Sequence, residues 1–238
     1  MPSRRTTAAK PRRKPSTVDV IIPTAGDCPH RAAALAWVTG HYALHHHSWT
    51  VTVAETGQPF SKGAAVNPVA AASTADVLVI ADADSWVAPS DLAAAVERAK
   101  KAGWAMPHAT VRRIDAADTA RILAGEEVPD PSLEVPEAQA VPGGGIAVFT
   151  RQAWDTHGGF DERFTGWGRE DATLALVGGQ RLGHFWARDA DGPLWHLWHP
   201  RPAPDQAQAA AGELLYQRYL AAARDPAALA AIIAERAT

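Results

Sequence analysis

The stretch ADVLVIADADS, residues 75–85, decides the fold. Asp76-Val77-Leu78-Val79-Ile80-Ala81 reads as an apolar strand that stops at Asp82. In an open α/β sheet, ligands gather beyond the carboxyl ends of the strands. The pair Asp82-Ala83-Asp84 therefore stands where such a sheet does its chemistry. Residues two apart on an extended chain point to the same side, and two hard oxygens there suit Mg²⁺ or Mn²⁺. The plainer alternative is a turn from Ser85 onward, capped by Asp84.

Working outward, the neighbouring segments alternate in type. Upstream, Val18-Asp19-Val20-Ile21-Ile22 is a β-branched run ended by Pro23 and reads as a buried first strand. His30 to Ala43 has helical spacing, Trp49 to Ala54 alternates as a second strand, and Ser61 to Ser73 is an alanine-rich helix. Downstream, Pro89-Ser90-Asp91 opens a helix running to about Lys101. Strand and helix in turn, three times over, predict an α/β layer with parallel strands. The regularity breaks after Val111. Residues 126–142, EEVPDPSLEVPEAQAVP, hold four prolines and five acids and read as a loop. Gly143-Gly144-Gly145 then precedes another strand, Ile146 to Phe149. Residues 205–238 read as two helices, the second capped by Asp225 with Pro226 at its first position.

Composition limits the function classes. The chain has 238 residues, 47% of them apolar, enough to bury a substantial core. No apolar run reaches the roughly 20 residues of a membrane span. Cys28 is the only cysteine, so no internal disulfide forms and a cytoplasmic setting is expected. Arg4, Arg5, Lys10, Arg12, Arg13 and Lys14 place six positive charges in the first 16 residues. Against a whole-chain charge of −3, the remainder carries −9. A basic arm on an acidic body argues against a large nucleic-acid-binding face. Residues 1–16 read as a disordered solubilising arm.

Further groups have the right chemistry for a site. In Trp195-His196-Leu197-Trp198-His199, two imidazoles stand three residues apart. Nitrogen ligands added to aspartates suit Mn²⁺ better than Ca²⁺, while packed aromatic core is the alternative reading. His45-His46-His47 is read as loop and not as a site. The triple glycine lets a backbone approach a ligand closely or simply forms a strand-entry turn. Glu55 ends the second strand, where it can accept a hydrogen bond from a base or ribose, or merely face solvent. In GWGREDATL, residues 166–174, two glycines free a loop around Trp167. Glu170 and Asp171 come next, at a helix start whose dipole favours ionised carboxylates. An ionised carboxylate there accepts an alcohol proton; an acidic first turn is the structural alternative.

The order IIPT, AET, KGAAVN, DADS, PGGGIAVFTRQAWDTHGGFDERFTGWGREDATL and WHLWHP resembles the GT-A glycosyltransferases. The likeness spans about residues 17–200, family 2-like in its N-terminal half. Residues 143–174 are most similar to the region shared by the β-1,4-galactosyltransferases and the polypeptide N-acetylgalactosaminyltransferases. The resemblance implies a single GT-A domain with a mixed central sheet over 17–200 and a packed helical extension over 201–238. It places Pro23, Thr24, Glu55, Lys62, Asn67 and Asp82 at the nucleotide, Gly144 and Gly145 at the transferred sugar, and Trp167 on a mobile loop. It makes Asp84 a metal ligand, with His196 or His199 as the later one. Glu170 and Asp171 would stand at the junction of donor and acceptor. The retaining relatives carry Glu-Asn where this chain has Glu170-Asp171, and the inverting ones carry Glu-Asp.

The expected function is a Mn²⁺- or Mg²⁺-dependent, inverting transfer of a hexose or N-acetylhexosamine from a UDP-sugar to an acceptor hydroxyl. Asp171 would act as base. The acceptor would be a saccharide, a protein side chain, a lipid-linked glycan or a hydroxylated DNA base. A nucleotidyltransferase using paired aspartates and Mg²⁺ is the rival enzyme, although TAGDCPHR, residues 24–31, makes a poor phosphate loop. A non-catalytic nucleotide-sugar-binding module is the rival outside enzymes.

Overall fold

The computed structural model describes residues 16–26, 28–166, 168–183, 192–200, 203 and 205–237. The basic arm up to residue 15 and Trp167 lie outside the described residues. The strands are β1 (Val18–Thr24), β2 (Thr50–Glu55), β3 (Val77–Ala81), β4 (Ser85–Trp86), β5 (Trp104–Ala105), β6 (Thr110–Arg113), β7 (Ala138–Gln139), β8 (Ile146–Thr150) and β9 (Leu194–His196). The helices are α1 (Pro29–His45), α2 (Lys62–Ala72), α3 (Pro89–Ala102), α4 (Ala116–Leu123), α5 (Arg151–His157), α6 (Glu170–Leu182), α7 (Gln206–Ala222) and α8 (Pro226–Ala234).

The main sheet has the order β2-β1-β3-β8-β5. β1 pairs in parallel with β2 and β3, whereas β8 runs antiparallel to β3 and β5 antiparallel to β8. Its apolar runs are continuous because both faces are covered. Val18, Val20, Ile22, Val77, Val79, Ile146 and Val148 face one core with residues of α1 and α3. Ile21, Leu78, Ile80, Ala147 and Phe149 face the other, with residues of α2, α5 and α6. Burying each such side chain stabilises the fold by about 1.5–3 kcal/mol. Pro23 does not end β1. The ladder to β3 stops at Ile21 while that to β2 continues through Thr24, so the missing proline N–H falls where one neighbour has already gone.

A second sheet, β4-β9-β6-β7, stands over the carboxyl ends of the first. Its strands are two to four residues long. They gave the sequence reading too little periodicity to find, and β6 and β7 flank or enter the segment read as loop. The third cluster packs Leu215, Tyr219, Leu229 and Ile232 of α7 and α8 against Phe164 and Val177. Both caps expected for α8 are present: Asp225 accepts from the amides of Ala227 and Ala228, and Pro226 takes the first position. His45 belongs to α1, and His46 is buried with its ring stacked 3.9 Å from Trp49. The run thus begins in the last turn of α1 and leaves it through an exposed turn at His47. Among the described residues no helix is long and apolar enough to cross a membrane.

Candidate active site

A cleft of about 490 Å³ opens where β1 and β3 end. Its walls include Pro23 and Thr24 from β1, Lys62 from α2, Asp82 and Asp84 after β3, Gly144 and Gly145 before β8, Glu170 and Asp171 from α6, and Arg113 and His196 from the second sheet. The backbone of the acid pair is fixed from two directions. The Asp82 amide donates to the Gly145 carbonyl at 2.9 Å, and the Leu197 amide donates to the Asp84 carbonyl at 2.8 Å.

The two aspartates serve different partners. Asp84, His196 and His199 bring one ligand atom each to within 4.8 Å of one another, and Asp82 is outside this group. Asp82, which the resemblance places at the nucleotide and not at the ion, bonds Lys62. The Nδ1 of His199 lies 3.0 Å from the Pro200 carbonyl. A carbonyl only accepts, so Nδ1 carries the proton and Nε2 is directed at Asp84 Oδ2, 3.3 Å away. Nε2 of His196 lies 3.7 Å from Asp84 Oδ1. Burial pushes the Asp84 carboxyl up, but the neighbouring His196 and His199 outweigh it and hold the group well below the carboxylate range. The nearby Asp84 carboxylate in turn raises His199. Two imidazoles and a carboxylate, one ring held from behind by a carbonyl, form a donor set that fits a Mn²⁺-type ion.

The same cleft holds a second charged group. Lys62 is buried and donates to Asp82 Oδ1 at 2.7 Å and to Asp171 Oδ1 at 2.8 Å. Burial lowers the lysine, but Asp171, Asp82 and Glu170 outweigh it and raise it overall. Asp171 is raised to about 7, first by burial and then by Glu170 and Asp82, against the pull of Lys62. Burial is the largest of these causes, so the carboxyl titrates higher than an acid at a helix start was expected to. Gly143 sits at φ +84°, and a Cβ there would collide with the Asp171 carbonyl oxygen. Glycine thereby lets the triple-glycine turn lie directly against the first turn of α6. Glu170 accepts from the Gly168 amide at 2.9 Å, so it shapes the loop before the helix.

Three expected site residues, Glu55, Asn67 and His199, are not among those lining the cleft. Glu55 is exposed at the end of β2. Asn67 instead binds the Phe160 amide and carbonyl and the Glu162 carboxylate. It faces away from the cleft because α2 contributes only its first turn to the wall. His199 is buried behind His196. Sequence reasoning missed Arg31 and Arg113, which both line the cleft. Arg113 pairs in register with His196, a relation invisible without recognising the four-residue strand β6.

The sheet order, the cleft and the charged groups define a protein with the GT-A fold. Residues 36–153 match the model of glycosyl transferase family 2, and residues 131–176 match the model described as the N-terminal domain of galactosyltransferase. The chain is a glycosyltransferase. Its fold is similar to a Drosophila β-1,4-galactosyltransferase 7 mutant, solved with manganese, UDP-Gal and xylobiose. That match has a TM-score of 0.53 and 13% identity, and covers 82% of this chain and 79% of the other. It is also similar to GalNAc-T7 solved with UDP, GalNAc and Mn²⁺, with a TM-score of 0.52 and 14% identity over 86% of this chain and 50% of that one. No curated protein sequence matches the chain.

Proposed function

We propose that this glycosyltransferase moves a hexose or N-acetylhexosamine from a UDP-sugar to an acceptor hydroxyl, with inversion and with Mn²⁺ or Mg²⁺. The observation that carries the reading is the convergence of two groups on one cleft: Asp84 with His196 and His199 as a ligand set, and Asp171 with Lys62. Complexes of galactosyltransferase 7 and GalNAc-T7 with Mn²⁺ and uridine nucleotides support it.

Asp84, His196 and His199 would hold the ion. When bound, it supplies positive charge beside the diphosphate, on which negative charge builds as the sugar departs. Pro23 and Thr24 line the nucleotide end, and Gly144 and Gly145 let backbone approach the sugar. Asp171 takes the proton of the acceptor hydroxyl. The acceptor oxygen bonds to the anomeric carbon from the face opposite the diphosphate. The bond from that carbon to the phosphate oxygen breaks, and UDP leaves with the electron pair. Residues 17–200 form the catalytic unit in this reading, with 201–238 as a packed helical extension. The acceptor is defined only as a hydroxyl on a saccharide, a protein or a modified DNA base.

The test is mass spectrometry of UDP-sugar turnover with Mn²⁺ across donors and acceptors of these classes. Release of UDP with at least one donor is expected, stimulated by the metal. No turnover of any UDP-sugar, with UDP failing to bind, overturns the reading.

A further inference from the structure

The geometry points to Lys62 as a positioning residue for the transfer: its ammonium fixes one oxygen of the Asp171 carboxylate, leaves the other for the acceptor, and ties that carboxylate to Asp82 at the end of β3. The inference rests on Asp171 being the base, as proposed above.

Three observations carry it. The first is the geometry of the bridge. Nζ is 2.7 Å from Asp82 Oδ1 and 2.8 Å from Asp171 Oδ1, and 7% of the lysine side chain is exposed against 23% of Asp171. The carboxylate is thus more open to the cleft than its partner. Oδ1 is taken by Lys62; Oδ2 lies beside Gly144 and has no hydrogen-bond partner among the described residues.

The second is the rigidity of the platform. Ser61 caps α2 by accepting from the Ala64 amide, and its hydroxyl donates to the Glu162 carbonyl. A Cβ on Gly63 would lie 3.1 Å from both the Glu162 Cα and the Phe160 Cβ, so the first turn of α2 is packed directly onto that loop. The Phe160 ring lies 5.6 Å from Nζ and covers the ammonium. A lysine held this way has little freedom to track a moving partner and is suited to fixing one.

The third is charge. Asp171, Asp82 and Glu170 are the acids that act most on this lysine, and Lys62 is the cation that acts most on Asp171. A buried ion pair is weak as a source of stability, since apolar replacements of similar volume are often as stable. Its effect on Asp171 is direct: without the cation, a buried carboxylate flanked by two acids holds its proton to higher pH.

The experiment measures kcat/KM against pH for Mn²⁺-dependent turnover of UDP-galactose, UDP-glucose and their N-acetylated counterparts by wild type, Lys62→Met and Lys62→Arg. Loss of the cation is expected to move the acid limb of the profile up by one pH unit or more and to cut the rate at pH 7 at least about fivefold. Lys62→Arg should keep the limb within half a unit of wild type. A limb unmoved in Lys62→Met overturns the inference. A second measurement needs neither turnover nor a folded methionine variant. The ¹⁵Nζ signal of Lys62 in the wild-type protein should titrate near neutral pH and lose that step in Asp171→Asn. A Lys62 signal indifferent to Asp171 overturns the assignment. Wild-type failure to turn over any donor, with the NMR titration present, overturns the donor reading while leaving the Lys62–Asp171 link in place.

Discussion

His199 directs Nε2 at Asp84 Oδ2 across 3.3 Å because its other nitrogen is held by the carbonyl of Pro200. The ring is aimed before any ion arrives, and little ordering is left for binding to impose. Asp84→Ala is expected to abolish Mn²⁺-dependent UDP binding with the fold intact. His199→Ala should weaken it by at least ~10²-fold, the upper end of what loss of an outer-shell partner alone costs. Asp82→Asn should weaken it far less, because Asp82 bonds Lys62 and not the histidines. Calorimetric titration of UDP with Mn²⁺ into the three variants checks the order; equal losses in Asp82→Asn and Asp84→Ala contradict it.

Asn67 separates a structural from a donor-binding role. Its Oδ1 accepts from the Phe160 amide at 3.0 Å, and its Nδ2 donates to the Phe160 carbonyl at 3.0 Å and to Glu162 at 2.9 Å. Gly159, at φ +71°, lies so close that a Cβ would strike the Asn67 amide oxygen. At roughly 1 kcal/mol per net hydrogen bond, Asn67→Ala should destabilise the protein by about 2–3 kcal/mol. UDP affinity of the folded fraction should change less than threefold. A urea titration and a UDP binding curve measure both. Unchanged stability with lost UDP affinity restores the residue to the donor site.

Asp161 ties the C-terminal helices to the loop before α6. Its side chain is wholly buried, accepting from Arg163 at 2.7 Å and from the Tyr219 hydroxyl at 2.7 Å. Tyr219 also accepts from Arg236 at 2.9 Å. Asp161→Ala should cost about 2–3 kcal/mol, less than the 3–5 of a fully buried pair because Arg163 is one-third exposed. Burial pushes the carboxyl up, but the hydrogen bonds from Arg163 and Tyr219 outweigh it and hold it below its ordinary value. A lowered carboxyl contributes stability that is complete above the ordinary carboxylate pKa of about 3.9 and is lost as the pH falls through the lower folded value. Urea midpoints at pH 7 and pH 3 should differ less in the variant than in the wild type.

Length and repetition decided which elements were legible in the sequence. β1, β2, β3 and β8 carry five to seven residues each and read as strands. β4, β5, β7 and β9 have two or three and carry no usable period. Asp84 and the two histidines were legible as ligand types, yet their convergence depends on β9 lying between β4 and β6. Lys62 was legible only as a helix residue near the nucleotide. Its bridge joins residues 20 and 109 positions apart, a distance over which local pattern holds no information. Asn67 was placed by motif order alone and Glu55 by motif order and its strand end, and neither says which way a side chain faces.

The assignment of Asp171 is the most exposed to test. Asp171→Asn keeps the shape and the position at the start of α6 but removes the proton acceptor. Transfer should fall by at least the ~10²-fold expected for a lost general base, while binding of UDP with Mn²⁺ persists. The wild type should also show an acid limb in kcat/KM, because Asp171, raised to about 7, is the proton acceptor only in its ionised form. Below that value the rate should fall about tenfold per pH unit, and above it the rate should level off. The asparagine variant should retain its residual rate without that limb. If Asp171 were merely part of an acidic first turn, asparagine would serve nearly as well, and both the rate and the profile would survive. The anomer of the product supplies the independent check, since a base on the acceptor side demands inversion at the anomeric carbon. Proton NMR of the product with initial rates from pH 5.5 to 9 decides it: a retained anomer, or a fully active Asp171→Asn enzyme, removes the aspartate from the mechanism.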